Sequence, residues 1–320
     1  MYFNEPTRDG GVTQIVKWSN IRRAEKFMIP QLGWKPKSRI ALAFDPARTS
    51  DNSIVLAMNI YKDPNMGWCG EIINAVNLTD IATKNKFKLD SNRQIAELRN
   101  MILNYNGHNP DYEYIDSLMI DAGSGGGGLS TYADGLLNNW TDASGREHRG
   151  FIDPNHEVYA GYSKLYPDAV KKLKLLNPKK YRTQMVEEFI DLMDLGVITM
   201  PFEYSGNDYL RLSKGVDSKT GEEIFEAYEL SEAERSALVE MDLMKTEITS
   251  IHKFTNPEKT SVTYALSKDK ENTMHDDRFY AMIMLAHRLY EIRRGETVVK
   301  NRKVDKRVKV AFRKPKIRKI

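Results

Sequence analysis

One apolar run limits the folds open to this chain. Residues 39–44 read Arg-Ile-Ala-Leu-Ala-Phe and stop at Asp45-Pro46. A strand that is apolar on both sides is covered on both faces, which places it at the centre of an α/β sheet. Two further strand-like stretches follow at 53–61 and 68–76. The turn Asp63-Pro64-Asn65-Met66-Gly67 between them is too short for a crossover helix. These connections predict an antiparallel meander of three strands.

Beyond the meander the periodicity changes. Ser91-Asn-Arg-Gln94 has the form of a capping box, and Ile95, Leu98 and Ile102 follow at helical spacing. Residues 114–120 form the next strand and end at Asp121. A glycine-rich turn, 123–128, leads into a second helix through Leu136 and Leu137, and residues 141–180 read as irregular. A helix at 182–195 is stopped by Gly196, and 197–200 reads as a short fifth strand. Ser231-Glu-Ala-Glu234 caps another helix, 253–272 is polar, and a last amphipathic helix carries Phe279, Met282, Ile283, Ala286 and Leu289. The expected fold is α/β, a mixed central sheet of five or more strands with helices on both faces.

Composition narrows the class. With 41% hydrophobic and 29% charged residues the chain can bury a core, and no run reaches the roughly 20 apolar residues of a membrane span. The single cysteine, Cys69, removes intrachain disulfides and any cysteine zinc cage, which makes an intracellular setting the expectation. Residues 300–320 hold eleven of the 48 Lys and Arg but only one of the 44 acids, so an acidic body carries a basic tail. A polyanion partner is one reading of that asymmetry, and a solvated terminus is the other. The domain reading is an arm or linker over 1–37, a globular domain over 38–297 and a basic tail over 298–320.

Acids stand at three structurally related places. Asp45 ends the first strand, Asp121 ends the fourth, and Asp276-Asp277 opens the last helix behind His275. Ligands of open sheets gather beyond the carboxyl ends of the strands. If the first and fourth strands are parallel neighbours, Asp45 and Asp121 share one rim and Asp277 faces them. Clustered carboxylates repel unless a cation neutralises them, and hard oxygen donors suit Mg²⁺ or Mn²⁺. Taken singly, Asp45-Pro46 could open a turn, Asp121 could cap a helix, and the Asp pair could complement a helix dipole.

The stretches Ile40-Ala-Leu-Ala-Phe-Asp45 with Asp51-Asn-Ser53, Ile115-Asp-Ser-Leu-Met-Ile-Asp121-Ala-Gly and His275-Asp-Asp277-Arg-Phe-Tyr-Ala281 together resemble the nuclease domain of phage large terminase subunits. Leu243-Met-Lys-Thr-Glu-Ile248 with Val262-Thr-Tyr264 adds to the likeness, which spans about 38–294. The resemblance implies an RNase H-like fold and a two-metal endonuclease that cuts concatemeric double-stranded viral DNA. Asp45, Asp121 and Asp277 then become metal ligands, with Asp276 a rival for the third role and His275 a possible further ligand. Arg278, Lys268 and Lys270 are the expected DNA contacts near the site. Portal protein and small terminase subunit are the implied partners, in the host cytoplasm at the procapsid. The ATPase motor of such proteins has no counterpart here, since no G-x-x-x-x-G-K-[ST] occurs. A junction-resolvase or transposase-like nuclease, and a non-enzymatic DNA-binding assembly protein, are the alternatives.

Overall fold

A computed structural model describes residues 13–46, 52–78, 90–107, 109, 111–123, 128–216, 220–221, 223–256, 261–271 and 273–311. Asp51, residues 124–127 of the glycine-rich turn and the last nine residues of the tail lie outside them. The elements are α1 (Trp18–Ala24), β1 (Glu25–Lys26), β2 (Ile40–Asp45), β3 (Ile54–Asp63), β4 (Gly67–Asn77), α2 (Ser91–Asn106) and β5 (Ile115–Asp121). A π-helical turn (Gly128–Ala133) then runs into α3 (Asp134–Leu137), followed by β6 (Trp140–Thr141), β7 (Glu147–His148) and β8 (Leu173–Leu176). The second half holds α4 (Arg182–Asp194), β9 (Ile198–Pro201), β10 (Tyr209–Val216), β11 (Glu223–Glu229), α5 (Glu232–Ser250), β12 (Ile251–Asn256), β13 (Ser261–Leu266) and α6 (Asp277–Ala311).

The meander forms as expected. β3 is antiparallel to both β2 and β4, while β5 joins β2 in parallel on its other side. The full order is β1-β9-β4-β3-β2-β5-β8. Five consecutive strands, β4-β3-β2-β5-β8 with only β3 reversed, have the arrangement that the expected RNase H-like fold implies. Helices α4, α5 and α6 bury one face in a core that includes Leu56, Phe189, Met241 and Phe279. Helix α2 and the π-turn with α3 bury the other, through Phe44, Leu98, Ile120 and Tyr132. No helix among the described residues is long and apolar enough to cross a membrane.

The sequence reading is corrected or extended at six points. The strand that continues the sheet past β5 is β8, inside the stretch read as irregular. The one at Ile198–Pro201 exists but lies at the opposite edge, parallel to β4. Helix α2 is capped by Asp90, whose carboxylate accepts from Asn92 N, and not by Ser91. The supposed arm is packed from Thr13 onward: Val16, Ile21 and Ala24 are buried, and β1 pairs with β9. The polar stretch after α5 is the hairpin β12–β13. The basic tail is, through Ala311, the continuation of α6.

Candidate metal and nuclease site

β2 and β5 run in register, with Phe44 opposite Ile120, so Asp45 and Asp121 leave the two strands side by side. Helix α6 crosses β2, β3 and β4 and begins at Asp277, which brings the third acid to the same rim. Its start is fixed from α5. The buried Glu247 accepts hydrogen bonds from Arg278 N (2.8 Å) and Phe279 N (3.0 Å), two donors that a helix N-terminus otherwise leaves open.

The four carboxylates feel one another. Burial first, and then Asp121, Asp277 and Asp276 in that order, push the Asp45 carboxyl well above the usual carboxylate range. Burial also raises Asp121, against the opposing pull of the Gly123 N–H and of Lys179. Three of the four are steadied by donors. Asp121 Oδ1 accepts from Gly123 N at 2.7 Å. Asp277 Oδ2 accepts from Asn52 N at 2.9 Å and Asn52 Nδ2 at 3.3 Å. Asp276 Oδ2 accepts from Arg182 Nη2 at 2.6 Å, and the Arg182 guanidinium lies 4.7 Å from the Tyr280 ring centre. Asp45 alone has no hydrogen-bond donor among the described residues.

A side chain at Gly123 would push on the Asp121 and Asn177 side chains. A Cβ there would stand 2.8 Å from Asp121 Oδ1 and 3.2 Å from Asn177 Oδ1. Asn177 is the first residue past β8, and β8 pairs with β5 up to Asp121 opposite Leu176. Asn52, Asn177, Lys179 and Arg182 are therefore site residues that the sequence reading did not single out.

The expected DNA contacts fare differently. Arg278 is 6% exposed and sealed between Glu240 and Glu247, each at 2.6 Å. It is a structural ion pair, closed to phosphate. Lys270 is partly buried, with Nζ donating to Ser250 Oγ at 2.9 Å. Lys268 and His275 stand exposed on the segment leading to α6.

Whether these residues suit a divalent cation is a question of donors and placement. All four acids offer oxygen only, the donor type of Mg²⁺ and Mn²⁺. Among the described residues no three His, Cys, Asp or Glu side chains converge on one point. One oxygen each of Asp121, Asp276 and Asp277 is engaged by a donor within the chain. The donor set fits such a cation in type, and three of the acids stand at one rim of the sheet.

No protein-family model matches the chain, and no protein of curated function matches it. Among solved structures it is similar to the large terminase nuclease from thermophilic phage G20c, at 11% identity and a TM-score of 0.45, covering 85% of this chain and 96% of that one. The magnesium-bound form of that nuclease is similar at 9% identity and a TM-score of 0.44, over 87% and 98% of the two chains. The HK97 bacteriophage large terminase is similar at 10% identity and a TM-score of 0.45, over 86% of this chain and 43% of that one.

Proposed function

We propose that the chain is a divalent-cation-dependent endonuclease acting on double-stranded DNA, of the kind that cuts concatemeric viral DNA during packaging. Asp45 carries the reading. Burial and three neighbouring acids raise the Asp45 carboxyl well above the usual carboxylate range, and no hydrogen-bond donor among the described residues offsets them. Groups perturbed in this way by burial and like charge are the mark of a working site.

Asp45, Asp121 and Asp277 would hold the metal, Mg²⁺ or Mn²⁺ and in the two-ion form a pair. Bound there, such cations supply an activated water and a stabilised leaving oxygen for phosphodiester hydrolysis. The chain's own groups orient the acids. Asn52 aims Asp277, the Gly123 N–H aims Asp121, and Arg182 neutralises Asp276, which makes Asp276 the weaker candidate for a ligand. Portal protein, small terminase subunit, an ATPase motor on another part of the machine and a host-cytoplasmic location belong to the packaging reading.

Magnesium-dependent nicking of supercoiled plasmid tests it. The wild-type chain is expected to nick in Mg²⁺ or Mn²⁺ and not in EDTA. Cleavage by Asp45→Ala or Asp121→Ala within about tenfold of wild type would remove the assignment; tenfold is only about 1.4 kcal/mol of barrier.

A further inference from the structure

We infer that the turn at residues 177–181 is the ledge on which the DNA backbone lies beside the acids, with Lys179 and Lys180 as its phosphate contacts. The inference rests on the nuclease reading above and replaces the buried Arg278 with a cation that DNA can reach.

Position is the first argument. The turn starts where β8 leaves the sheet next to Asp121, with Asn177 against Gly123. It ends at Arg182, which is bound to Asp276. The segment therefore spans the space between two acids of the same rim. It is held rigidly: Lys180 N donates to Asn177 O and Oδ1, at 3.1 and 3.0 Å, and Tyr181 N donates to Asn177 O at 3.1 Å.

Exposure and charge are the second. Lys179, Lys180 and Tyr181 are all exposed, whereas Asn177 and Pro178 are not. Lys180 Nζ lies 5.3 Å from the centre of the Tyr181 ring, which keeps that ammonium at the surface of the turn. Lys179 is near enough to oppose the charge of both Asp45 and Asp121, yet its ammonium closes no ion pair among the described residues. A lysine serving only to balance the acids would be expected within about 4 Å of one of them. A hydrated ammonium on a flexible stem, left open beside clustered carboxylates, suits a phosphate oxygen arriving from solvent.

The test is DNA affinity against salt for the full chain, by fluorescence anisotropy on a labelled duplex in EDTA, where nothing is cut. K179A/K180A is expected to lower the slope of log affinity on log salt by about two, equally on unrelated sequences. K179R/K180R should keep the wild-type slope. K35A/K62A removes the same charge at the opposite end of the sheet and should leave the slope unchanged. An unchanged slope in K179A/K180A, or an equal drop in K35A/K62A, overturns the ledge. Plasmid nicking by the wild type reports separately on the nuclease reading: cutting with an unchanged K179A/K180A slope overturns the ledge alone, and neither cutting nor binding overturns both.

Discussion

β2, β5 and α6 build two polar clusters, and the two ends of these elements behave oppositely. At the far end from the acids, Asp116 on β5 accepts from Arg39 Nε at 2.8 Å, just before β2, and from Arg288 Nε at 2.6 Å, on α6. Arg288 also donates to Glu291, which Lys174 of β8 meets at 2.7 Å. Burial works against the Asp116 charge, but Arg288 and Arg39 hold it below the usual carboxylate range. At the rim the same three elements deliver Asp45, Asp121 and Asp277, with Asp276 beside them and Lys179 nearby. One cluster is neutralised from within the chain and ties the elements together. The other is offset only in part, by Arg182 at Asp276 and by Lys179 nearby. On the proposed function, two acids five residues apart on a single strand, Asp116 and Asp121, would thus serve stability and chemistry respectively.

The contrast breaks if the two ends respond alike to mutation. The largest expected effect is on cleavage: Asp45→Ala and Asp121→Ala should each cost more than the roughly 10–100-fold that follows loss of a ligand's hydrogen-bond partner. Both proteins should keep the wild-type circular dichroism spectrum, and unfolding of either would assign the rim to stability. Asp116→Ala should do the reverse, costing about 3–5 kcal/mol by leaving two arginines without their acid. A guanidinium titration measures that loss.

The pH dependence has a definite sign. A lowered carboxyl contributes stability above its unfolded value, about 3.9, and loses it as pH falls through the folded value. The stability gap between wild type and Asp116→Asn should therefore narrow in acid, and a gap that widens would reverse the roles of the two clusters. A smaller effect separates the two acids of α6. Asp277→Asn should lose more activity than Asp276→Asn, because Asp277 is 8% exposed and held by Asn52 while Asp276 is engaged by Arg182. Equal losses in a nicking assay would make both acids ligands. The smallest is thermal: without metal, Asp45→Asn should melt a few degrees above wild type, at about 2 °C per kcal/mol in a chain of this size. A lower melting temperature would mean that Asp45 is not under repulsion.

What the residues disclosed in advance follows from how local each signal is. The apolar run ending at Asp45, the tight turn at Asp63, and Ser231 reaching Glu234 act within a few positions, and all three form as read. β8 escaped notice because it is four residues long and carries lysine inside and just before it. Those lysines are absorbed by distant partners, Lys172 by the Tyr112 and Ile115 carbonyls and Lys174 by Glu291. With β8 unseen, the ledge behind it looked like irregular chain. Arg278 was misread for a related reason. Adjacency in sequence places it next to Asp277, but successive helical residues point about 100° apart, and Glu240 and Glu247, more than thirty positions earlier, enclose it. The arm at the start carried no period because its contacts are long-range: Ile15 N donates to Ile251 O, and Lys253 N donates to Thr13 O.

That last contact has a consequence for how the protein is made. Thr13 and Ile15 are translated well before their partners on β12, which emerge only after α5 is complete. Helix α6, which covers the β2–β4 face and brings Asp277 to the rim, comes later still. At roughly 5–20 residues per second, about ten to fifty seconds separate the synthesis of Asp45 from that of Asp277. Until then the sheet lacks the helix that covers one of its faces and the last of the rim acids. On the nuclease reading, cutting would therefore require that α6 has been made and has closed over the sheet, since Asp277 arrives with it.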